Sequence, residues 1–526
     1  MKGNGIMKKR NIISIVLVMA TISLITGCKK ENSEKNNNET TKNTITNETI
    51  VVNKSATGNP ILGFNDKNKL TYSGDPAALV DGDTVYLYTG HDTAPNESYV
   101  IPEWQCYSSK DMINWTYEGV VLKCSNIGWA DNNSAWAGQV IKHYDKESDK
   151  DRYYFYFCSW NNEDNGRQSI GVAVSDNPTG PFTDIGHALV KGSFTEDETS
   201  AWNDIDPTVW IETDDKGEEH RYLCWGNNKV YMCELNEDMI SIKDYDGDGS
   251  ITFGKDVISK KCPDSFTEAP WIYRRQDENG KYYGDYYLFY AYSWREQMAY
   301  ATTDNLMEGD FKFGSIIMEP TATSNTNHPS IIDFKGETYF IYHNGSLPKG
   351  SGFRRVVCAE KLVFNEDGTI PYIKETATGI SGIVSTIKDK SGDLLSHEKF
   401  SNSVSDSNYP YTGVGVGTKL TGIDEDDSLW QIVQGKSDAK DETLVSIESY
   451  NKPGLYLTVT TKRINLSQDN TGTMATAQTF RTVKGLSGEG VSFESVRYKG
   501  QYITVKKGIL TLSDGEDRDA CTFYID

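Results

Sequence analysis

The sequence predicts an all-β protein of two domains, a five-bladed β-propeller followed by a β-trefoil. Three observations carry this prediction. Five short motifs recur at near-even spacing: Asp75-Pro76-Ala77, Trp136-Ala137-Gly138, Asp206-Pro207-Thr208, Glu268-Ala269-Pro270 and His328-Pro329-Ser330. A tyrosine-rich or aromatic strand-like run follows each one, at Val85–Tyr88, Tyr153–Phe157, Tyr222–Trp225, Tyr286–Tyr292 and Tyr339–Tyr342. A second, shorter repeat begins near residue 396.

Successive motifs of the first set lie about 60 to 70 residues apart, which suggests one structural unit per motif. Short strands at a fixed period of this length close into a propeller or a similar array. Turn signals punctuate the strands at Asp81-Gly82-Asp83, Asn227-Asn228, Asn279-Gly280, Lys335-Gly336 and Asp367-Gly368. No long segment follows a helical period, so the propeller is expected over residues 56–390. The first strand of each blade lines the central channel. Asp75, Asp206 and Glu268 then converge from different blades on one mouth.

In the second repeat, Val445-Ser446-Ile447-Glu448-Ser449 with Gly454-Leu455-Tyr456-Leu457 is echoed by Val491-Ser492-Phe493-Glu494-Ser495 with Gly500-Gln501-Tyr502-Ile503. Trp430, Phe480 and Phe523 end three copies of about 45 residues, within the usual range for repeats. Three such copies over residues 396–526 make a trefoil, whose shared core no single copy could bury. The first copy, roughly 396–435, is degenerate.

At 526 residues the chain is long enough for two domains. Its net charge of -22 excludes a nucleic-acid backbone as partner, but a neutral polysaccharide would not be repelled. The 11 Trp and 31 Tyr suit sugar recognition, because aromatic faces stack on the apolar faces of sugar rings. They equally suit packing between blades, and most are expected to serve there.

Lys8, Lys9 and Arg10 precede an apolar run from Ile12 to Ile25, closed by Ile25-Thr26-Gly27-Cys28. The run has signal-peptide length. The residues before Cys28 resemble a bacterial lipobox, which implies cleavage there and lipidation of the Cys28 sulfur. Residues 1–28 are thus read as lipoprotein signal and lipobox, and the polar residues 29–55 as a disordered tether. That places the protein on the extracellular face of a bacterial membrane, held only by a lipid anchor. The other eight cysteines show no C-x-x-C spacing, so neither a zinc nor a redox site is expected.

Asp244-Tyr245-Asp246-Gly247-Asp248 resembles the first half of an EF-hand loop, but Lys255 stands where the twelfth-position glutamate belongs. It reads as an acidic hairpin. No cofactor is required, and a structural Ca2+ is the only ion the sequence suggests.

Converging acids at a sugar-sized pocket are what glycosidic-bond hydrolysis needs. With inversion, one carboxylate is ionised and activates water, while a protonated carboxyl sits beside the glycosidic oxygen. Asp75 is the candidate general base and Glu268 the candidate general acid. Asp206 is the candidate third carboxylate, raising the acid's pKa by its charge and orienting it. A lone Asp-Pro is more often a turn cap, but its shared period with the other two acids favours catalysis.

Gly74-Asp75-Pro76-Ala77, Ile205-Asp206-Pro207-Thr208, Thr267-Glu268-Ala269-Pro270-Trp271 and Asn327-His328-Pro329-Ser330 together resemble glycoside hydrolase family 43, in order and spacing, over about 330 residues. The resemblance implies an inverting five-bladed enzyme acting on arabinose- or xylose-containing polymers, with the same three roles at Asp75, Glu268 and Asp206. It also implies that His328 lies under the site, touching substrate or a central calcium; a buried structural histidine is the alternative. An arginine on the last inner strand is implied to touch the sugar. Alternation lets only one of Arg354 and Arg355 point inward, and Arg355 is preferred. Trp136 departs from the family pattern, since Ala137-Gly138-Gln139 follows it; stacking on substrate and core packing both stay open. The second repeat resembles arabinofuranose-binding trefoil modules of carbohydrate-binding family 42.

The expected function is an exo-acting α-L-arabinofuranosidase on arabinoxylan or arabinan. The alternatives are a β-xylosidase or other family 43 hemicellulase, and a non-catalytic surface glycan-binding lipoprotein.

Overall fold

The computed structural model describes residues 47–526, apart from 196–200, 215, 322, 400–411, 462 and 469–472. The signal, lipobox and Cys28 readings lie outside the described residues. Five antiparallel sheets form the first domain, each with its strands in sequential order. The first holds β1 (Gly74–Asp81), β2 (Thr84–Gly90), β3 (Glu103–Ser109) and β4 (Trp115–Lys123). The second holds β5 (Gly138–Asp145), β6 (Lys150–Asn161), β7 (Arg167–Ser175) and β8 (Thr183–Asp184). The third holds β9 (Thr208–Thr213), β10 (Glu219–Trp225), β11 (Val230–Glu234) and β12 (Val257–Lys260). The fourth holds β13 (Phe266–Gln276), β14 (Tyr282–Tyr292), β15 (Gln297–Thr303) and β16 (Lys312–Met318). The fifth holds only β17 (Ser330–Phe334), β18 (Glu337–Asn344) and β19 (Val356–Leu362).

This is a five-bladed propeller, and each recurring motif sits at the head of an inner strand. The aromatic runs are the second strands β2, β6, β10, β14 and β18. Their rings pack between blades: Tyr88, Trp104, Phe155 and Phe157 share one buried cluster across the first two. Buried tyrosine hydroxyls find carbonyls, as Tyr88 does at Pro178 (2.7 Å) and Tyr287 at Gly368 (2.8 Å). Most aromatics therefore hold the fold.

The chain ahead of β1 runs beside β19, at the edge of the three-stranded blade. Ile61 N–H donates to Val357 O (3.0 Å), and Asn59 Oδ1 accepts from Ala359 N–H (2.9 Å). An edge left open would be a ready pairing template.

The second domain is a β-trefoil. Its core joins Ile387, Trp430, Ile447, Leu457, Phe480, Phe493 and Phe523 from all three copies. The repeated Glu and Gly have a physical reason. Glu448 accepts from Gly454 N–H (2.7 Å) and Glu494 from Gly500 N–H (2.8 Å), so each carboxylate fastens its own hairpin.

Two boundaries differ from the sequence reading. Ser385–Asp389 pairs with Leu429–Gln434 and Phe523–Ile525, so it belongs to the trefoil and not to a propeller ending at 390. Residues 47–55 are not a free tether. Ile50 and Val52 pack on the trefoil core, Ile50 N–H donates to Thr482 O (3.1 Å), and Ser55 N–H donates to Ile432 O (2.8 Å). Their alternating apolar residues pair with exposed trefoil backbone, which a composition argument overlooks.

The two domains meet through the second trefoil copy. Gln468 Nε2 donates to Gly345 O (3.0 Å) and Gly350 O (3.1 Å) of the propeller. All eight cysteines among the described residues are free thiols. In the acidic hairpin, Asp244 accepts from Gly247 and Gly249 N–H (2.7 Å each), and Lys255 pairs with Asp246.

Candidate active site

The heads of the inner strands share a backbone device. Asp75, Asp206 and Ala269 have φ of 50°, 60° and 58°, and each precedes a proline. Left-handed backbone is costly for non-glycine residues and collects at functional sites, with Asp among the more tolerant. In blades one and three the left-handed residue is the acid itself. In blade four it is Ala269, so Glu268 stands one position earlier and approaches from its neighbour's side. Register breaks flank both acids in β1 and β13.

One pocket collects these heads. It is lined by Asp75, Asp206, Glu268, His328 and Arg355 from four blades and walled by Tyr99, Trp136 and Trp202.

Arg355 organises one side. Its guanidinium is buried and makes a bidentate pair with Asp92 (Nε–Oδ2 2.9 Å, Nη2–Oδ1 3.0 Å). Its Nη1 donates to Asp75 Oδ1 (2.6 Å). Burial alone would raise the Asp75 carboxyl, but the Arg355 charge and hydrogen bond, together with the nearby His343 and His328, hold the group below its usual value. His343 accepts from Asp75 N–H at Nδ1 (3.2 Å) and reaches Thr326 O with Nε2 (2.9 Å), which fixes the ring as the Nε2–H tautomer. Burial, with Arg355 adding, pushes His343 down to about 3; burial takes His328 to about 4, so both rings are neutral at pH 7.

Among the described residues, no cation pairs with Glu268 or Asp206 on the opposite side. Glu268 Oε2 accepts from Asn227 Nδ2 (2.7 Å), and burial raises its carboxyl above the usual value, the Asp75 charge adding to this. Asp206 Oδ2 accepts from Ala269 N–H (2.9 Å), clamping the peptide next to Glu268, while its own N–H meets Cys158 Sγ (3.4 Å). Burial and the Glu268 charge raise Asp206 well above its usual value. The site thus holds carboxyls pushed in opposite directions, the arrangement that divides acid from base.

Gly74 is where close approach matters. A Cβ there would stand 2.3 Å from the Arg355 guanidinium carbon. Gly74→Ala is expected to displace Arg355 and cut kcat by at least about tenfold, because small misplacements at reacting groups are costly. Wild-type kinetics in that variant would show that Arg355 can move without consequence.

The structure brings together Asp75, Glu268, Asp206, Trp136, His328 and Arg355. Arg355 points inward, while Arg354 turns out to Lys349 O (2.6 Å). Neither lies on the inner strand, however: both precede β19, the third strand of its blade. Trp136 is half-buried and packs among aromatic neighbours while facing the pocket. It packs on Tyr99, Trp160 and Trp202, with centroids 6.1, 5.7 and 5.1 Å away, and still lines the pocket. Trp202 is 45 % exposed at this rim. His328 belongs to neither acidic or histidine cluster able to hold a metal among the described residues. Its charged neighbours are Asp75 and the Arg355 cation, which is a poor shell for calcium, an ion that takes six to eight oxygens.

Sequence reasoning missed Asp92, His343, Asn227, Tyr99, Trp202 and Glu296. Glu296 is 1 % exposed beside Glu268, and its Oε2 accepts from Asn327 N–H (2.6 Å). These residues lie on loops and second strands, off the recurring motifs. Only the charge of Asp92 just after an apolar strand hinted at a buried partner.

A propeller with opposed carboxyls at its axial mouth defines a hydrolase of glycosyl bonds. The match to glycosyl hydrolases family 43 spans residues 70–370, and the chain belongs to that family. Residues 396–524 match the alpha-L-arabinofuranosidase B (ABFB) domain. The chain is similar to an arabinoxylan arabinofuranohydrolase of Paenibacillus polymyxa, 30 % identical over 343 residues, covering 58 % of this chain and 51 % of the relative. It is similar to a xylosidase/arabinosidase of Bacteroides ovatus, 29 % identical over 346 residues, covering 58 % and 95 %. It is also similar to a beta-D-galactofuranosidase of Aspergillus niger, 26 % identical over 324 residues, covering 59 % and 84 %.

Proposed function

We propose that the protein is an inverting, exo-acting α-L-arabinofuranosidase that releases arabinose from arabinoxylan or arabinan. The observation that carries this reading is the opposed pair: Asp75 tied to Arg355 and held low, and Glu268 buried and raised. Arabinofuranohydrolase and arabinosidase relatives, and an arabinofuranosidase-type second domain, support the sugar.

In this reading Arg355 occupies Asp75 Oδ1, leaving Oδ2 to take a proton from water. The water oxygen bonds to the anomeric carbon as the glycosidic bond breaks. Glu268 gives its proton to the departing oxygen. Asp206 orients Glu268 by holding the next peptide through Ala269 N–H. Neutral His343 and His328 support Asp75 without competing for its proton. The rim of Trp136 and Trp202 offers aromatic faces to the sugar.

The xylosidase/arabinosidase relative keeps β-xylosidase as a second reading. Incubation with arabinoxylan, arabinan and xylo-oligosaccharides separates the two. Free arabinose from the first two substrates is expected; xylose alone would move the assignment to a xylosidase. Capture of polysaccharide without any release would make the protein a glycan binder.

A further inference from the structure

The geometry assigns Glu296 as the positioning residue for Glu268: the two side chains form one buried carboxyl pair that shares a proton, with Glu268 at the end facing substrate. This rests on the reading of Glu268 as the acid. Glu296 is outside the pocket lining, so it acts only through its neighbour.

Three observations place the pair. Glu296 reaches the Glu268 carboxyl from the hairpin between β14 and β15, and is almost wholly buried. Its Oε2 is fixed by Asn327 N–H, while its Oε1 is buried and meets no hydrogen-bond donor among the described residues. Two carboxyl oxygens can meet in such a place only through a proton. The hairpin is also held in an unfavourable shape: Ser293, Arg295 and Glu296 have φ of 55°, 68° and 38°. Three left-handed non-glycine residues within four positions are costly, and the surrounding structure must over-determine them.

Burial and the Glu268 charge raise Glu296 well above its usual value. Among the described residues, charged and titratable groups facing the pair include Asp206, Asp75, Arg355, Tyr99 and the Cys158 thiol. Such a pair titrates as a unit. Its first proton leaves readily, but the second is retained because two carboxylates cannot both ionise side by side. The bond between the two carboxyls lowers Glu268 and raises Glu296, so the retained proton rests towards Glu296; it passes to Glu268 as Glu268 protonates the glycosidic oxygen, and solvent restores it.

The test is Glu296→Gln. The amide keeps the volume and an oxygen for Asn327 N–H, but cannot share a proton. Activity requires the protonated acid, so the alkaline limb of kcat/KM should move to lower pH by about one unit or more. At neutral pH the loss in kcat should be at least about tenfold larger on arabino-oligosaccharides than on 4-nitrophenyl α-L-arabinofuranoside, whose leaving group needs little protonation. A pH profile superimposed on wild type, or equal loss on both substrates, overturns the proposal. Glu268→Gln measured alongside separates the two readings: if that variant stays active on oligosaccharides, the acid assignment itself has failed. Carbon-13 NMR of glutamate-labelled protein needs no turnover. A carboxyl resonance titrating above the usual range should vanish in both variants, while Glu360 (about 8) and Glu448 (about 7) remain as references. Its persistence in Glu296→Gln would contradict the pair. If Glu296→Gln does not fold, Glu296→Asp, which withdraws the carboxyl, takes the same test with the same expected direction.

Discussion

Asp75→Asn is expected to lower kcat on arabinan by about 10² to 10⁴-fold, the usual contribution of a positioned general base. The loss should fall on kcat more than on KM, because the base acts on water in the transition state. It should also be the same for oligosaccharides and activated aryl glycosides, since both need the attacking water. The fold should survive. Arg355 loses one partner but keeps its bidentate bonds to Asp92, so no buried cation is left alone. An Asp75→Asn enzyme with near wild-type kcat would remove Asp75 from the mechanism.

Glu268→Gln should behave differently. On arabinan and arabino-oligosaccharides kcat should fall by about 10² to 10⁴-fold. On a 4-nitrophenyl glycoside most of the rate should return, because that phenolate departs without a proton. The contrast between the two variants matters more than either loss alone. An equal loss on both substrates would mean that Glu268 holds structure or binds sugar instead of delivering a proton. The amide can still accept from Asn227 Nδ2, the bond Glu268 Oε2 makes at 2.7 Å, so gross unfolding is not expected.

The pH dependence follows from the same geometry. Asp75 is held below its usual value, so the acid limb of activity should lie low; its contribution to folding stability is likewise present above the unfolded pKa and lost as pH falls through the folded one. Glu268 is raised, so the alkaline limb should sit above the ordinary range for a glutamate.

Much of this was legible in the sequence because the propeller repeats itself. The five motifs mark the heads of the inner strands, and strands that start on one channel bring their first residues together. The aromatic runs were equally readable, since second strands buried on both faces demand large apolar side chains. What could not be read lies between the motifs. Glu296 sits in a short turn, Ser293-Trp294-Arg295-Glu296, that looks like any hairpin tip. Asp92 and His343 reach the site only because β2 and β18 end beside Arg355. Alternation left Arg354 and Arg355 both open; Arg355 was preferred, but on the inner strand instead of ahead of the third. The ordered path of residues 47–55 was hidden because pairing with trefoil backbone leaves little trace in composition. The trefoil boundary slipped for a related reason: Ser385–Asp389 carries no repeat motif and is defined only by its partners.

The most direct test of the central claim is proton NMR of the first sugar released from a branched arabinan, recorded before the anomers equilibrate. L-arabinose is expected to appear first as the β-anomer, since water activated by Asp75 would attack the face opposite the bond that Glu268 protonates. Arabinose appearing first as the α-anomer would contradict it, because retention requires a covalent intermediate that this pairing of roles does not provide.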